Sequence, residues 1–124
     1  MKNVISKVIE IDGVDFIVEL TEIAEAVIEL DFAALIGGKA IRTDRQLVKN
    51  GLKGKQNPLK VIKAVMEIFV QELVPAALDE YPEATFVAEA EPKRAKIYRR
   101  FADANGAMMI EWEEEPSMLE LLII

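Results

Sequence analysis

The sequence predicts an α+β fold, in which helices pack against the faces of one mixed β-sheet. Three observations support this prediction. The first part of the chain alternates apolar and polar residues around Asp12-Gly13, a pair typical of a tight β-hairpin. Residues 58–79 place apolar side chains at helical spacing. Residues 84–112 pass from a strand through a second helix to another strand, so the predicted order is β-β-β-loop-α-β-α-β.

Length and composition set the size of the fold and exclude several kinds of chemistry. The 124 residues, 52% of them hydrophobic, suffice for a single domain over residues 1–124 with a sizeable core. The chain has no cysteine and no histidine. Disulfides, thiolate chemistry, a Ser-His-Asp triad and a histidine-based zinc site are therefore excluded, and no metal site is predicted.

The charge balance and the apolar runs limit the partners and the location. A net charge of −7 disfavours nucleic acid as the main partner, because binding to its phosphates needs a basic face. The N-terminal residues show no apolar signal region, and the apolar runs are too short to span a bilayer. We therefore expect a soluble, cytoplasmic protein with no membrane partner.

The first three strands are predicted from alternation. Residues 4–20 form a hairpin that turns at Asp12-Gly13, and residues 21–35 fit two different periods. One set of apolar residues fits a helical stripe: Ile23, Ala26, Val27, Leu30, Ala33 and Ala34. Another set fits a strand: Ala26, Ile28, Leu30 and Phe32. We favour a strand over 26–33, since a hairpin precedes it and Gly37-Gly38 ends it, with a helix as the alternative.

Residues 36–57 are predicted to form a loop region, with a short strand or helix around 40–49 as an alternative. The longest helix is predicted over residues 58–79. Asn57 suits the N-cap and Pro58 suits the first helical position. Pro75 has no N–H to continue the helix, so it should kink the helix or end it near Val74.

The last third of the chain predicts strand 84–90, helix 92–104 and strand 107–115. Pro92 presets the first helical turn, and Gly106 stands where a left-handed C-cap belongs. We expect strands 14–20, 26–33 and 84–90 at the centre of the sheet. The apolar tail 118–124 should either dock on the domain as an edge strand or helix, or cover a partner chain and so form a homo-oligomer.

Residues 45–112 resemble the core of the GNAT acyltransferase superfamily, and most closely the small phage-type GNAT-like proteins. The segment with the closest resemblance is the strand, turn and helix of residues 84–101, closed by Asn105-Gly106. The resemblance implies a GNAT-like domain that takes acetyl-CoA as cofactor. It also implies that Tyr98 faces the thioester and protonates the departing CoA thiolate. The alternative for Tyr98, which lies at helical spacing between Ala95 and Phe101, is core packing.

The resemblance further implies a pyrophosphate cradle in the loop that opens the long helix, where backbone N–H groups and the helix dipole favour anions. The residues at this place are Gly51, Lys53, Gly54, Lys55 and Asn57. The loop departs from the family spacing, because Val48 stands where Gln or Arg is usual and Gly54 comes one residue late. The alternative interpretation is a solvated basic loop.

Charged residues supply the other candidates. A general base for the acceptor amine would be water or a carboxylate on a predicted strand: Glu29, Asp31 or Glu89. A basic cluster would contact an anionic ligand or form the solvated face of its helix: Lys93, Arg94, Lys96, Arg99 and Arg100. An acidic run would mimic nucleic acid against a basic protein groove or protect a strand end: Glu111, Glu113, Glu114 and Glu115.

Two hypotheses of function follow. The first is an acyl-CoA-dependent N-acyltransferase with Tyr98 as general acid and the loop 51–57 as phosphate cradle. The second is a non-catalytic, GNAT-derived binding or inhibitor protein, encoded by a phage and acting on a host protein in the host cytoplasm. The family prior favours the first hypothesis. The second is favoured because the glycine spacing of the loop differs from the family pattern and because the sequence singles out no carboxylate as the general base.

Overall fold

The computed structural model describes residues 2–41 and 58–123. It is an α+β fold, as the sequence predicts: helices pack on a mixed, seven-stranded sheet. Six strands lie in the order β1-β2-β3-β5-β7-β6. They are β1 (Lys2–Ile11), β2 (Val14–Ala24), β3 (Val27–Ile36), β5 (Thr85–Glu89), β7 (Met118–Ile123) and β6 (Ala107–Glu111). The short strand β4 (Lys39–Ile41) pairs with β3.

Two successive hairpins build the first half of the sheet. Asp12 and Gly13 both take positive φ angles, 51° and 80°, which a tight two-residue hairpin turn requires. The turn places Ile11 opposite Val14 and confirms the hairpin predicted from Asp12-Gly13. The second hairpin turns at Ala26 and pairs β2 with β3 in antiparallel fashion. The strand predicted over 26–33 is therefore confirmed, and the helical alternative is wrong.

The long helical segment runs without a break from Pro58 to Glu80, but its hydrogen bonding changes in the middle. It consists of α1 (Pro58–Ile68), a π-helical turn (Phe69–Leu73) and α2 (Val74–Glu80). The Val74 N–H donates to the carbonyl of Phe69, five residues earlier. This wider turn directly precedes Pro75, which has no N–H and would crowd the carbonyl four residues earlier in a regular α-helix. One of the two sequence-based alternatives was that the helix ends near Val74, and this alternative is wrong because the helix continues to Glu80.

The described helices form one layer on one face of the sheet. The rings of Phe69 and Phe86 meet edge-on, with centroids 6.5 Å apart and planes at 71°, and so join the helical segment to β5. The helix α3 (Pro92–Ala104) packs beside α1, and Gln71 donates from its side-chain amide to Asn105 at 2.7 Å. The core lies between this layer and the sheet, and Phe16, Val18 and Leu20 of β2 lie in it.

No helix of the described residues packs on the opposite face of the sheet, which we call the acidic face. Strand register assigns to it the side chains that alternate with the core residues. Seven of these are carboxylates, and none of the residues that the structure describes there is Lys or Arg. The seven are Glu10, Asp15, Glu19, Glu29, Asp31, Glu89 and Glu120.

The C-terminal strands differ from the sequence-based prediction in two ways. The apolar tail does dock as a strand, β7, but it is not an edge strand, because it lies between β5 and β6. Its core residue Leu119 is fully buried, which explains the apolar sequence. The strand predicted over 107–115 ends at Glu111, so Glu113, Glu114 and Glu115 lie in the connection to β7.

Within the two described ranges, no helix combines the length and the apolar composition that crossing a membrane requires.

Candidate functional site

A gap in strand pairing creates a cleft between β3 and β5. The strands β3 and β5 are parallel, but they pair only over Val27–Glu29 and Thr85–Val87. The strand β2 occupies the other edge of β3, so β4 must pair on the same edge as β5. Because β4 pairs only with residues 34–36, the edge of β3 between Leu30 and Ala33 has no strand partner in the described part of the chain.

The direction of the backbone in this gap follows from alternation. Thr85 donates its N–H to the carbonyl of Ala26 at 2.8 Å, so the backbone groups of Ala26 point towards β5. Backbone groups of alternate residues in a strand point to the same edge. The backbone groups of Leu30 and Phe32 therefore point to the edge that β5 shares. The parallel pairing of Glu29 with Val87 uses the N–H of Leu30, which donates to the Val87 carbonyl, so the Leu30 carbonyl and both backbone groups of Phe32 are left to face the gap. There they can bind an extended ligand that carries amide groups.

The other wall of the cleft is the end of β5 and the start of α3. After Val87, β5 pairs only with β7, and the Ala90 N–H donates to the carbonyl of Ser117 at 2.8 Å. Glu91 is extended, with φ −62° and ψ 155°, and its carbonyl accepts from the Ala95 N–H at 2.8 Å. Pro92 then begins the helix. The sharp turn predicted before Pro92 thus brings the first turns of α3 to the cleft.

The cleft has a volume of about 450 Å³, which is within the range of roughly 300–1,000 Å³ for small-molecule sites. Its lining combines β3, the end of β5, α3 and the residue before β7. The residues are Glu29, Leu30, Asp31, Glu89, Ala90, Glu91, Pro92, Arg94, Tyr98 and Ser117.

Tyr98 lines this cleft and also belongs to the hydrophobic core. Only 5% of its surface is exposed. Its position on α3, three residues after Ala95 and three before Phe101, turns it towards the sheet. The two sequence-based interpretations of Tyr98 are therefore compatible in geometry, since one side chain can pack in the core and face the cleft.

The three carboxylates considered as bases all line the same cleft as Tyr98: Glu29, Asp31 and Glu89. Burial raises the pKa of Glu29 above its ordinary value, and the neighbouring charges of Glu89 and Asp31 raise it further. A carboxylate with a raised pKa is a stronger base when ionised. Glu29 is thus distinguished from the other two by its surroundings, which the sequence alone did not reveal.

The basic residues predicted to form a cluster on α3 lie in different surroundings in the structure. Arg94 lines the cleft and is half-buried. Arg99 forms an ion pair with Glu111 at 2.7 Å, and the Arg100 guanidinium lies 5.6 Å from the ring centre of Phe101. Lys93 and Lys96 are exposed. Only Arg94 of this cluster is placed to meet a ligand in the cleft.

The predicted cofactor loop lies outside the described residues. Gly51, Lys53, Gly54, Lys55 and Asn57 all belong to it, so their proposed role stays a prediction. The sequence analysis did not name Ser117, which also lines the cleft. The apolar strand that follows Ser117 is the sequence signal that could have identified this residue. Because that strand pairs with β5, Ser117 lies at the cleft.

Among the residues that the structure describes, no group of three or more acidic side chains is arranged to hold a metal ion. The cleft is therefore a site with carboxylates, a tyrosine and an arginine, beside an unpaired strand edge. Such a set can accept a proton, donate a proton and orient an amide-bearing ligand.

Comparison of the chain with protein-family models, with curated proteins and with solved structures gave no match.

Proposed function

We propose that this chain is an acyl-CoA-dependent N-acyltransferase of the GNAT type, with acetyl-CoA as acyl donor and the β3–β5 cleft as active site. The observation that best supports this proposal is that Tyr98 and Glu29 line the same cleft, beside a strand edge that has no partner strand among the described residues. The succession of strand, long helix, strand and tyrosine-bearing helix also agrees with what the family resemblance implies.

The strand gap suits the donor because the pantetheine arm of coenzyme A is an extended chain with two amide groups. The Leu30 carbonyl and the N–H and carbonyl of Phe32 point into the gap and offer one donor and two acceptors to such a chain. The arm itself carries no charge, so the cleft carboxylates do not repel it. The anionic end of the molecule would be held by the basic loop at Gly51, Lys53, Gly54, Lys55 and Asn57, the place that the family resemblance gives it.

The chemistry needs one proton acceptor and one proton donor. The acceptor amine attacks the thioester carbonyl carbon and gives up a proton, and the C–S bond breaks to leave an amide and a thiolate. Glu29 accepts the amine proton, directly or through a water, since burial raises its pKa. The Tyr98 hydroxyl protonates the thiolate sulfur. Glu29, Asp31 and Glu89 together attract the ammonium form of the acceptor into the cleft. The ammonium ion loses its first proton to solvent before it attacks, so the proton that Glu29 accepts is the second one, released as the amide forms.

The expected location follows from the proposed donor. Acyl-CoA is an intracellular metabolite, so this activity belongs in the cytoplasm, or in the host cytoplasm if a phage encodes the chain.

Tyr98→Phe tests the proposal because it keeps the ring and its packing but removes the hydroxyl. Transfer from acetyl-CoA to small amines should fall by about 10²–10⁴-fold, while the affinity for coenzyme A stays the same. Unchanged turnover in Tyr98→Phe would remove the tyrosine from the mechanism. A wild-type chain without turnover on any amine tested would favour the second candidate.

The second candidate is a non-catalytic binding or inhibitor protein, and the acidic face supports it. Seven carboxylates and no basic residue of the described chain share this face, which suits a basic protein surface. Poly-L-lysine is a suitable probe. Glu10→Lys and Asp15→Lys, two exposed positions on the acidic face, should weaken probe binding and leave acyl transfer unchanged. Lys63→Glu on the exposed side of α1 is the matched control.

A further inference from the structure

We propose that β6 is a self-complementary sheet edge, through which two copies of this chain associate into one continuous sheet. This inference concerns a surface away from the cleft and does not depend on the proposed activity. The sequence predicted association through the tail, but that tail is the internal strand β7. Among the strands of residues 2–41 and 58–123, the strand next to it, β6, ends the sheet on this side.

The two edges of the sheet differ in how they are protected. The edge strand β1 carries a register shift between Asn3 and Ile5, and its Lys7 is ion-paired with Glu72 of the helix layer. A bulge and a lysine are common devices against edge-to-edge pairing. The strand β6 has neither, because it contains no lysine and no proline and pairs with β7 in one unshifted register, and its one charged residue, Glu111, is the last of the strand.

The outward backbone groups of β6 can be assigned from one hydrogen bond. Trp112 donates its N–H to the carbonyl of Met118 at 2.9 Å, so the backbone groups of Trp112 point towards β7. By alternation, those of Ile110 and Met108 also point inward. The groups that point outward, to the open edge, are those of Ala107, Met109 and Glu111.

These three residues pair with a second copy in one antiparallel register. A two-fold axis at Met109 places Met109 opposite itself and Ala107 opposite Glu111 of the second copy. All three pairs then join outward-pointing backbone groups, and each pair can exchange two hydrogen bonds. A shift of one residue would put outward groups opposite inward ones. Among the registers with the correct parity, the one centred on Met109 pairs all five residues of β6, whereas moving the axis by one residue leaves fewer pairs.

The side chains fit the same register. Met108 and Ile110 lie on the acidic-face side of β6, where they are 45% and 41% exposed. The two-fold places Met108 opposite Ile110 of the second copy at the close, non-hydrogen-bonded positions. The half-buried Leu122 lies beside Met108. Four exposed apolar side chains, two from each copy, would thus be covered by one another.

Charge sets the conditions for this association. Glu111 meets Ala107 of the second copy, so the register brings no acidic pair face to face. Each chain nevertheless carries a net charge of −7, which opposes association at low ionic strength. The contact is one short strand from each copy, below the usual size of a permanent interface. We therefore expect a reversible dimer that strengthens as salt is added.

Sedimentation velocity of the full chain over a wide range of concentrations tests this inference. The wild type should shift from monomer to dimer, and more readily at higher salt. Ile110→Lys should weaken the dimer by about tenfold or more, because a charge would be buried against Met108 of the second copy. Val8→Lys is the matched control: Val8 is an apolar residue, 54% exposed, on the other edge strand, and its replacement should not change the dimer.

A mixing experiment separates pairing from misfolding. Met108→Glu alone should also be monomeric, but a mixture of the Met108→Glu and Ile110→Lys chains should associate again. In the mixed dimer each new charge faces its opposite across the two-fold. A wild type that stays monomeric throughout, a Val8→Lys chain as weak as Ile110→Lys, or a mixture that fails to associate would each overturn the proposal.

Discussion

Glu29 lies opposite Val87 in the last step of parallel pairing between β3 and β5, and the cleft opens immediately beyond this pair. Val87 is fully buried, whereas Glu29 is half-buried at the rim of the gap. The Glu29 carboxylate therefore lies at the point where β3 and β5 stop pairing. Its position explains both its desolvation and its nearness to Glu89 and Asp31.

Glu29→Gln should raise the melting temperature at neutral pH. The raised pKa means that the folded chain binds this proton more tightly than the unfolded chain does. The ionised carboxylate therefore destabilises the fold, and this loss grows as pH rises through the raised pKa. Below the ordinary pKa of glutamate both states are protonated, so the gain from Glu29→Gln should vanish in acid. Thermal unfolding against pH measures this, with the exposed Glu67→Gln of α1 as control. An equal gain at every pH would refute the argument.

Ser117→Trp should block the cleft without unfolding the chain. Ser117 is exposed and lines the cleft, and its contact with Ala90 uses only its backbone carbonyl. A bulky ring there should exclude an acyl donor and lower acyl transfer by about tenfold or more, as loss of a positioned substrate does. Ser6→Trp, on the exposed part of β1, is the matched control. Equal transfer rates in the two variants would place the donor elsewhere.

Leu119→Ala should destabilise the fold by about 2–5 kcal/mol, because it removes a fully buried side chain from an internal strand. Ile123→Ala, in the same strand but 53% exposed, should cost much less. Chemical denaturation of both variants gives the two values. If they are equal, β7 does not occupy the centre of this half of the sheet.

The first half of the fold follows from local signals. The hairpin at Asp12-Gly13 was predictable because both turn residues tolerate positive φ. The strand predicted over 26–33, which the structure extends to Ile36, was predictable only through its neighbours, since its apolar residues fit a helical period as well. The preceding hairpin and Gly37-Gly38 decided between the two.

The second half depends on contacts that local patterns do not encode. Pro75 predicts a disturbed helix, but it does not predict that the helix continues through a π-helical turn in which Phe69 and Leu73 are buried in the core. The tail is apolar whether it lies at an edge or inside the sheet. Its place between β5 and β6 is a matter of strand order, which is a long-range property.

The candidate site was predictable in its residue types but not in its assembly. Tyr98 and the three carboxylates were named from their elements, yet only the short pairing of β3 with β5 brings them together. Arg94 could not be separated from its basic neighbours by sequence, because the direction of each side chain around α3 depends on how that helix packs. The role of Tyr98 stays a prediction.

Calorimetric titration of acetyl-CoA into the full chain tests the central proposal most directly, with Ser117→Trp titrated beside the wild type. We expect one acetyl-CoA to bind per wild-type chain, and binding to Ser117→Trp to be lost or greatly weakened. Titration at two temperatures guards against a binding enthalpy near zero at one of them. Absence of binding to the wild type at both temperatures, or equal binding by Ser117→Trp, would contradict the assignment of the β3–β5 cleft to an acyl-CoA donor.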